Sequence, residues 1–323
     1  MRPTPLFLIF LAIFLCLTGN AFSQIDHRIE FGFSAITVDG KLPHYKEIHK
    51  FQSRTGIAVE TVNWYMGFNG DNRELPSIPT RRMAEYKGKD ITLMLTLEPW
   101  GNATDWSGQR RDPLKAINDG YLDNYLRKMA RQMRAFGPPI RLRFGHEMIH
   151  DDHPDTKGWY SWQDRAKDYK KAFIRVHDIF ADENALNVEF VWSPNSRPAT
   201  LKTLKKYYPG PAYVDWIGID GYNWNGESFD EIFKLPYKNI VEHPEIFGEK
   251  QIMIAEFAAG ADKKLTMFDK AAWIKDAFIK IPSEYPQVKA IYWFHVKKER
   301  DWRLDSTDAS WSAFKTSIQN WRD

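Results

Sequence analysis

Two glutamates in this chain are suited to chemistry, and each lies at the end of an apolar run. Glu147 follows His146, just past residues 140–144 and Gly145, and Glu256 lies within residues 251–260. Aromatic residues crowd the first of them, with Trp159, Tyr160 and Trp162 just downstream. Two carboxyl groups can divide one reaction between them. One, kept protonated, gives a proton to a departing oxygen; the other, ionised, attacks carbon or activates water. That division is what hydrolysis of a glycosidic bond requires, and indole rings offer flat apolar faces to sugar rings. A lone glutamate at a strand end is more often an ion-pair partner or a cap. Two of them, on separate strands and each beside aromatics, are harder to explain that way.

For such a pair to meet, the fold must gather strand ends. Apolar, β-branched segments occur at residues 29–36, 58–68, 90–100, 140–144, 187–195, 214–224, 251–260 and 288–296. Helical patterns fall between or after them at 43–54, 80–86, 121–136, 163–180, 229–241, 271–281 and 311–321. The clearest helix repeats Tyr121, Leu122, Tyr125, Leu126, Met129, Met133 and Phe136 at three- and four-residue spacing, and Gly137-Pro138 ends it. Strands that are apolar on both faces and alternate with helices imply a parallel sheet in an α/β protein. Eight of them close a (β/α)8 TIM barrel, and the chain has the length of one such domain. A doubly wound open sheet usually carries a glycine-rich phosphate loop after its first strand, and this chain has none.

In a barrel the catalytic groups sit at the carboxyl ends of the strands. Those ends collect Trp64, Glu98, Trp100, His146, Glu147, Asn195, Asp220, Tyr222, Trp224, Glu256, Trp293 and His295. Strands four and seven stand across the ring, so Glu147 and Glu256 face a common centre. A separation of roughly 5–5.5 Å would mean a retaining mechanism, and roughly 6.5–9.5 Å an inverting one. Glu98 and Asp220 are expected to orient neighbours or bond sugar hydroxyls rather than react. Trp100 and Asn195 are candidate substrate contacts.

Composition narrows the partners. Arg2, an apolar run over residues 6–17 and Ala21-Phe22-Ser23 predict a signal peptide over residues 1–23, with the domain at 24–323. The run is shorter than the ~20 residues a membrane span takes. The expected localisation is therefore secreted or periplasmic. Removing that leader leaves 44 basic against 42 acidic side chains, which gives no electrostatic reason to bind nucleic acid or an anionic membrane. The only cysteine, Cys16, lies in the leader, so neither disulfide nor thiol chemistry is expected of the exported chain. With 13 Trp, 14 Tyr and 21 Phe, the aromatic content exceeds what a core usually holds, so some rings are expected at the surface as stacking faces. The expected partner is a polysaccharide, met by a monomer.

The run His146-Glu147-Met148 resembles that of glycoside hydrolase family 26, which has His where related barrel glycosidases have Asn before the acid. Residues 158–162 (GWYSW), 191–195 (VWSPN), 207–210 (YYPG), 214–224 (VDWIGIDGYNW), 254–258 (IAEFA) and 291–294 (IYWF) fit the same family in the same order. The resemblance implies a retaining endo-β-glycanase without a metal cofactor. It makes Glu147 the acid/base, Glu256 the nucleophile and His146 a hydrogen-bonding neighbour. It also implies that Tyr222 holds the nucleophile, that Trp293 floors the reacting sugar and that Trp159 lines the leaving-group side. Within the family β-1,4-mannan is the leading substrate, mixed-linkage β-1,3-1,4-glucan the alternative and β-1,3-xylan the third. The chain departs from the family in having Ile149 in place of an Asn and an insertion over residues 150–157, which bears on contacts at the leaving-group side.

Other readings follow from the same residues. His146 to His150 is a formal HExxH match, the zinc site of many proteases, but it needs both histidines on one helix face, and Pro154 would stop such a helix after barely two turns. Asp151, Asp152, His153 and Asp155 could hold a cation, although no EF-hand spacing is present and a solvated acidic loop is the expectation. A non-catalytic carbohydrate binder would keep the tryptophans and lose a carboxylate, and both are present.

Overall fold

The computed structural model of the chain describes residues 28–37, 39–68, 75–100, 103–104, 110–150, 158–260 and 268–321. The predicted signal peptide with Cys16 lies outside the described residues, as do Asp151, Asp152, His153 and Asp155 of the insertion.

Eight strands close the predicted barrel: β1 (Glu30–Ala35), β2 (Thr61–Gly67), β3 (Thr92–Glu98), β4 (Ile140–Phe144), β5 (Val188–Trp192), β6 (Trp216–Asn223), β7 (Gln251–Ala259) and β8 (Val288–Phe294). Each runs parallel to its sequence neighbour, and β8 pairs with β1. The helices are α1 (Tyr45–Thr55), α2 (Thr80–Ala84), α3 (Pro113–Asn118), α4 (Asp123–Phe136), α5 (Ala166–Asp182), α6 (Leu201–Tyr207), α7 (Phe229–Val241), α8 (Pro244–Phe247), α9 (Lys270–Glu284) and α10 (Asp308–Gln319). Among the described residues no helix is long and apolar enough to cross a membrane.

Helices α3, α6 and α8 were not expected, because four to seven residues are too few to show a helical period. For α3 and α6 the signal lies in the caps instead. Asp112 accepts from the Lys115 amide ahead of Pro113, and Thr200 accepts from the Thr203 amide.

The near-continuous apolar strands are explained by burial on both faces. Phe31, Val62, Leu95, Leu142, Trp192, Ile219 and Ile254 point outward into a core shared with the helices. Met94, Val191, Trp216, Met253, Ala255, Ala290 and Tyr292 form a separate cluster inside the ring. Two arginines on β4 also point inward. Arg141 closes the amino-terminal end, pairing with Glu30 at 2.7 Å, donating to the Tyr292 hydroxyl at 2.8 Å and lying 4.2 Å from the Trp216 ring centre. Arg143, two residues further on, lies at the opposite end, toward the mouth.

Among the described glycines the most confined lies between β1 and β2, where a Cβ added to Gly32 would lie 1.7 Å from the Thr61 carbonyl oxygen. That atom is backbone and cannot swing aside. Gly32→Ala is therefore expected to destabilise the protein by about 3 kcal/mol or more, read as a lowered thermal midpoint; an unchanged midpoint would contradict this packing.

Candidate active site

Two departures from regular structure place the two glutamates. After β4 the chain enters the left-handed region at Gly145 (φ 54°) and again at Glu147 (φ 50°). Glycine is needed at the first position for its room as well, since an added Cβ would meet the Tyr169 ring at 2.9 Å. At the second, a side chain in this region carries strain that the surroundings must hold in place. They do so with four hydrogen bonds. The Glu147 amide donates to the Ser193 carbonyl at 2.8 Å, and Gln163 donates to the Glu147 carbonyl at 2.7 Å. The Trp162 indole donates to the His146 carbonyl at 2.7 Å, and the Ile149 amide donates to Asn195 Oδ1 at 3.1 Å.

The second departure is a bulge in β7. Ile254 pairs with Ile219 of β6, but Glu256 pairs with Asp220; against β8, Ile254 pairs with Ile291 and Phe257 with Trp293. One residue of β7 is thus unmatched on both sides. Strict alternation would send Glu256 outward with Ile252 and Ile254; the bulge turns it into the mouth.

There Glu256 is 4% exposed and heavily bonded. Arg143 and the Tyr222 hydroxyl both donate to it in short hydrogen bonds, and the Tyr65 hydroxyl donates to Oε1 at 2.5 Å. Arg143 is wholly buried; it also reaches Asp220 at 3.0 Å and Thr96 at 2.9 Å. Thr96 bonds Asn63, and Asn63 donates to the Ser34 carbonyl, both at 2.8 Å, so the guanidinium is braced through three strands.

The site's charges sort themselves by burial and by this cation. Burial alone would push Glu256 up, but Arg143 and the two tyrosines outweigh it and hold the carboxyl down at about 2. Burial, then repulsion from ionised Glu256, pushes Glu147 up to about 8. Burial likewise raises Glu98 to about 7, against a hydrogen bond from Trp100, and pushes Asp220 well above the carboxylate range despite Arg143 beside it. His146 is buried and pushed down to about 3, so it is neutral; its Nε2 lies 3.1 Å from the Tyr160 hydroxyl and 3.8 Å from Glu256. At neutral pH one glutamate holds a proton and the other a charge, the division that acid catalysis paired with nucleophilic attack requires.

The mouth opens into a cleft of about 800 Å³. Seven of the eight expected site residues border it: Glu147, Glu256, His146, Tyr222, Trp100, Asn195 and Trp159, the last 75% exposed. Trp293 does not. It is 0% exposed, facing the outer core against Phe257 (4.9 Å) and Trp273 (6.3 Å), because Tyr292 beside it takes the inward position on β8. Phe294 and Trp302 line the cleft instead, and the Trp293 indole donates to the Trp302 carbonyl at 2.9 Å. On β2, for the same reason, Tyr65 rather than Trp64 faces the site, while His295 accepts from the Leu304 amide. Residues 146–150 are not helical, so the HExxH match lacks the helix face that it needs. Among the described residues no group of three or more His, Cys, Asp or Glu side chains is placed to hold a metal ion.

Sequence reasoning missed Arg143, Tyr65 and Trp302, and placed Tyr160 near Glu147 without giving it a role. The first two had a signal: a charge in an apolar strand needs a buried partner, and alternation along β2 gives Tyr65 the same face as Asn63. Trp302 lies in a loop with no periodicity to reveal it.

Comparison with known proteins bears on the family and the fold. Residues 112–308 match the sequence profile of glycosyl hydrolase family 26. The chain is 32% identical over 289 residues to Endoglucanase H of Acetivibrio thermocellus, an alignment covering 86% of this chain and 29% of that protein. In fold it is similar to a family 26 β-mannanase from Bacteroides ovatus (TM-score 0.63, 14% identity, 92% of this chain and 90% of that one). An endo-β-1,4-mannanase from Cellulomonas fimi is similar as well (TM-score 0.62, 15% identity, 90% and 70%).

Two predictions follow from the charges. If Glu147 must be protonated and Glu256 ionised, kcat/KM falls as pH rises through about 8 and again only at strongly acidic pH, toward about 2. A pH–rate profile checks this, and a basic limb near pH 5 would contradict it. Arg143→Met removes the cation holding Glu256 ionised, so the acidic limb moves upward and the protein loses roughly 3–5 kcal/mol of stability in denaturant unfolding.

Proposed function

The chain belongs to glycosyl hydrolase family 26 and is a glycoside hydrolase, and we propose that it cleaves internal linkages of a neutral β-linked polysaccharide by double displacement. The observation that carries this reading is that Glu147 and Glu256 border one cleft in unlike surroundings. Glu256 is held by Arg143, Tyr222 and Tyr65, and Glu147 has no cation bonded to it among the described residues, which favours opposed protonation of the two. Glu256 attacks the anomeric carbon while Glu147 gives its proton to the departing sugar oxygen, leaving a glycosyl ester on Glu256. Glu147, now a carboxylate, takes a proton from water, which attacks the same carbon and frees Glu256. Tyr222, Tyr65 and Arg143 hold the attacking carboxylate in place. In the second step they receive its returning charge, and a weakly basic carboxylate leaves readily. His146, neutral and bonded to Tyr160, keeps a polar edge beside Glu256 without adding a charge.

Mannan leads only as the commonest substrate of the family that the motifs resemble. The 32% relative, an endoglucanase by name, favours β-glucan, whereas the mannanase likenesses at 14% and 15% identity concern the fold alone. We therefore put β-glucan first and β-1,4-mannan second. The chain spans 29% of that relative's length, so the rest of the relative's activity is not carried over. Export through residues 1–23 belongs to the same proposal.

Digests of barley β-glucan, glucomannan, galactomannan and β-1,3-xylan, each with and without EDTA, test the substrate. Short oligosaccharides from barley β-glucan, unaffected by EDTA, are expected; release from galactomannan alone would reverse the order, and no release from any would overturn the reading. The roles separate in two variants. Glu147→Ala keeps activity on substrates with good leaving groups and is partly rescued by azide, while Glu256→Ala loses turnover on all of them. Indistinguishable profiles would contradict the assignment.

A further inference from the structure

Arg300, on the loop after β8, is tied to the cleft wall after β6. Its guanidinium donates to the Trp224 carbonyl and lies 5.2 Å from the centre of the Trp224 ring. Trp302 meets the same ring nearly at right angles, with centroids 4.6 Å apart, and is itself buried. Trp224 borders the cleft and is 40% exposed. A single exposed apolar side chain is ordinary and needs no explanation. One fixed from two sides at the rim of a cleft is not ordinary.

The loop that supplies both clamps is stiff. Lys297 and Asp301 bridge across it, the Trp302 amide donates to the Val296 carbonyl at 3.0 Å, and Arg303 makes two bonds to Asp301 at 2.8 and 2.7 Å. Buried Lys270, at the start of α9, donates to the Asp301 and Arg303 carbonyls and to Ser306, at 3.0, 2.7 and 3.0 Å. Beneath it Gly260 leaves the room required, since an added Cβ would lie 2.4 Å from Arg300 Cδ and 3.0 Å from the Trp302 ring. Toward the centre, Tyr222, which holds Glu256, meets Trp302 at 5.2 Å, Phe294 at 5.5 Å and Trp224 at 6.3 Å. The aromatic wall is therefore continuous from the nucleophile outward.

We propose that Trp224, positioned by Arg300 and Trp302, is a sugar-binding platform one ring removed from the reacting sugar. It takes a neutral hexopyranose unit of the polymer. The ring is apolar and nearby Arg197 and Glu227 pair at 3.2 Å, so the platform recognises the apolar face of a sugar ring rather than a charge on it. This rests on the glycanase reading above.

The test is calorimetric binding of β-glucan oligosaccharides to protein carrying Glu147→Gln, a near-isostere of the protonated acid. Adding Trp224→Ala is expected to weaken hexasaccharide binding about 10-fold more than binding of the monosaccharide, which is too short to span the reacting position and the platform together. Trp224→Phe restores most of the loss, and Arg300→Ala reproduces part of it. Equal weakening for both lengths, or none for either, overturns the platform while wild-type cleavage of the polymer keeps the glycanase reading. If the Glu147→Gln protein binds no oligosaccharide and the wild type cleaves none, the glycanase reading falls and takes the platform with it.

Discussion

The site depends on one buried cation. Arg143 has no exposed surface, and a charge removed from water survives only where opposite charge and hydrogen bonds replace the solvent. Two carboxyl groups compete for it, Glu256 and Asp220. Glu256 also accepts from two tyrosines and keeps the charge; Asp220, with Oδ2 unpartnered among the described residues, is driven toward its protonated form by burial. Ionised Glu256 then raises its neighbours, Glu147 most usefully. The charge on Glu256 thus follows from the guanidinium, while burial first and that charge second keep the proton on Glu147 against the pull of Arg143 itself.

Geometry adds what charge cannot. The barrel is regular where it needs only to be rigid, with apolar residues on both faces of the strands and Arg141 filling the lower end. Two of its irregularities aim a carboxyl group. The left-handed turn at Glu147 and the bulge in β7 are local costs, held by bonds from β5, by Trp162 and Gln163, and by Arg143. Strain of this kind concentrates where a side chain must face a substrate rather than the core.

Much of this was legible in the sequence, and the rest has physical reasons for being hidden. Eight apolar runs gave the barrel, with β4 bounded as expected, because strands buried on both faces are written continuously. Glu147 and Glu256 were found by position at strand ends. That they face a common centre followed from their places around the ring and not from alternation, since period two points Glu256 the wrong way and no local signal marks the bulge. Trp293 shows the converse error: a tryptophan at a strand end was read by position when alternation would have turned it outward. Trp302 and the clamp on Trp224 join loops from different strands, and pairings of that kind are set by tertiary packing alone.

The central claim is that Glu256 becomes covalently bonded to the sugar. It is tested most directly by trapping: an activated 2-deoxy-2-fluoro β-glycoside slows the second step more than the first, and the labelled protein is digested and its peptides are weighed. The account predicts one sugar per chain, on the peptide containing Glu256, with cleavage products of retained anomeric configuration. A label on another residue, or no label together with inverted products, would contradict it.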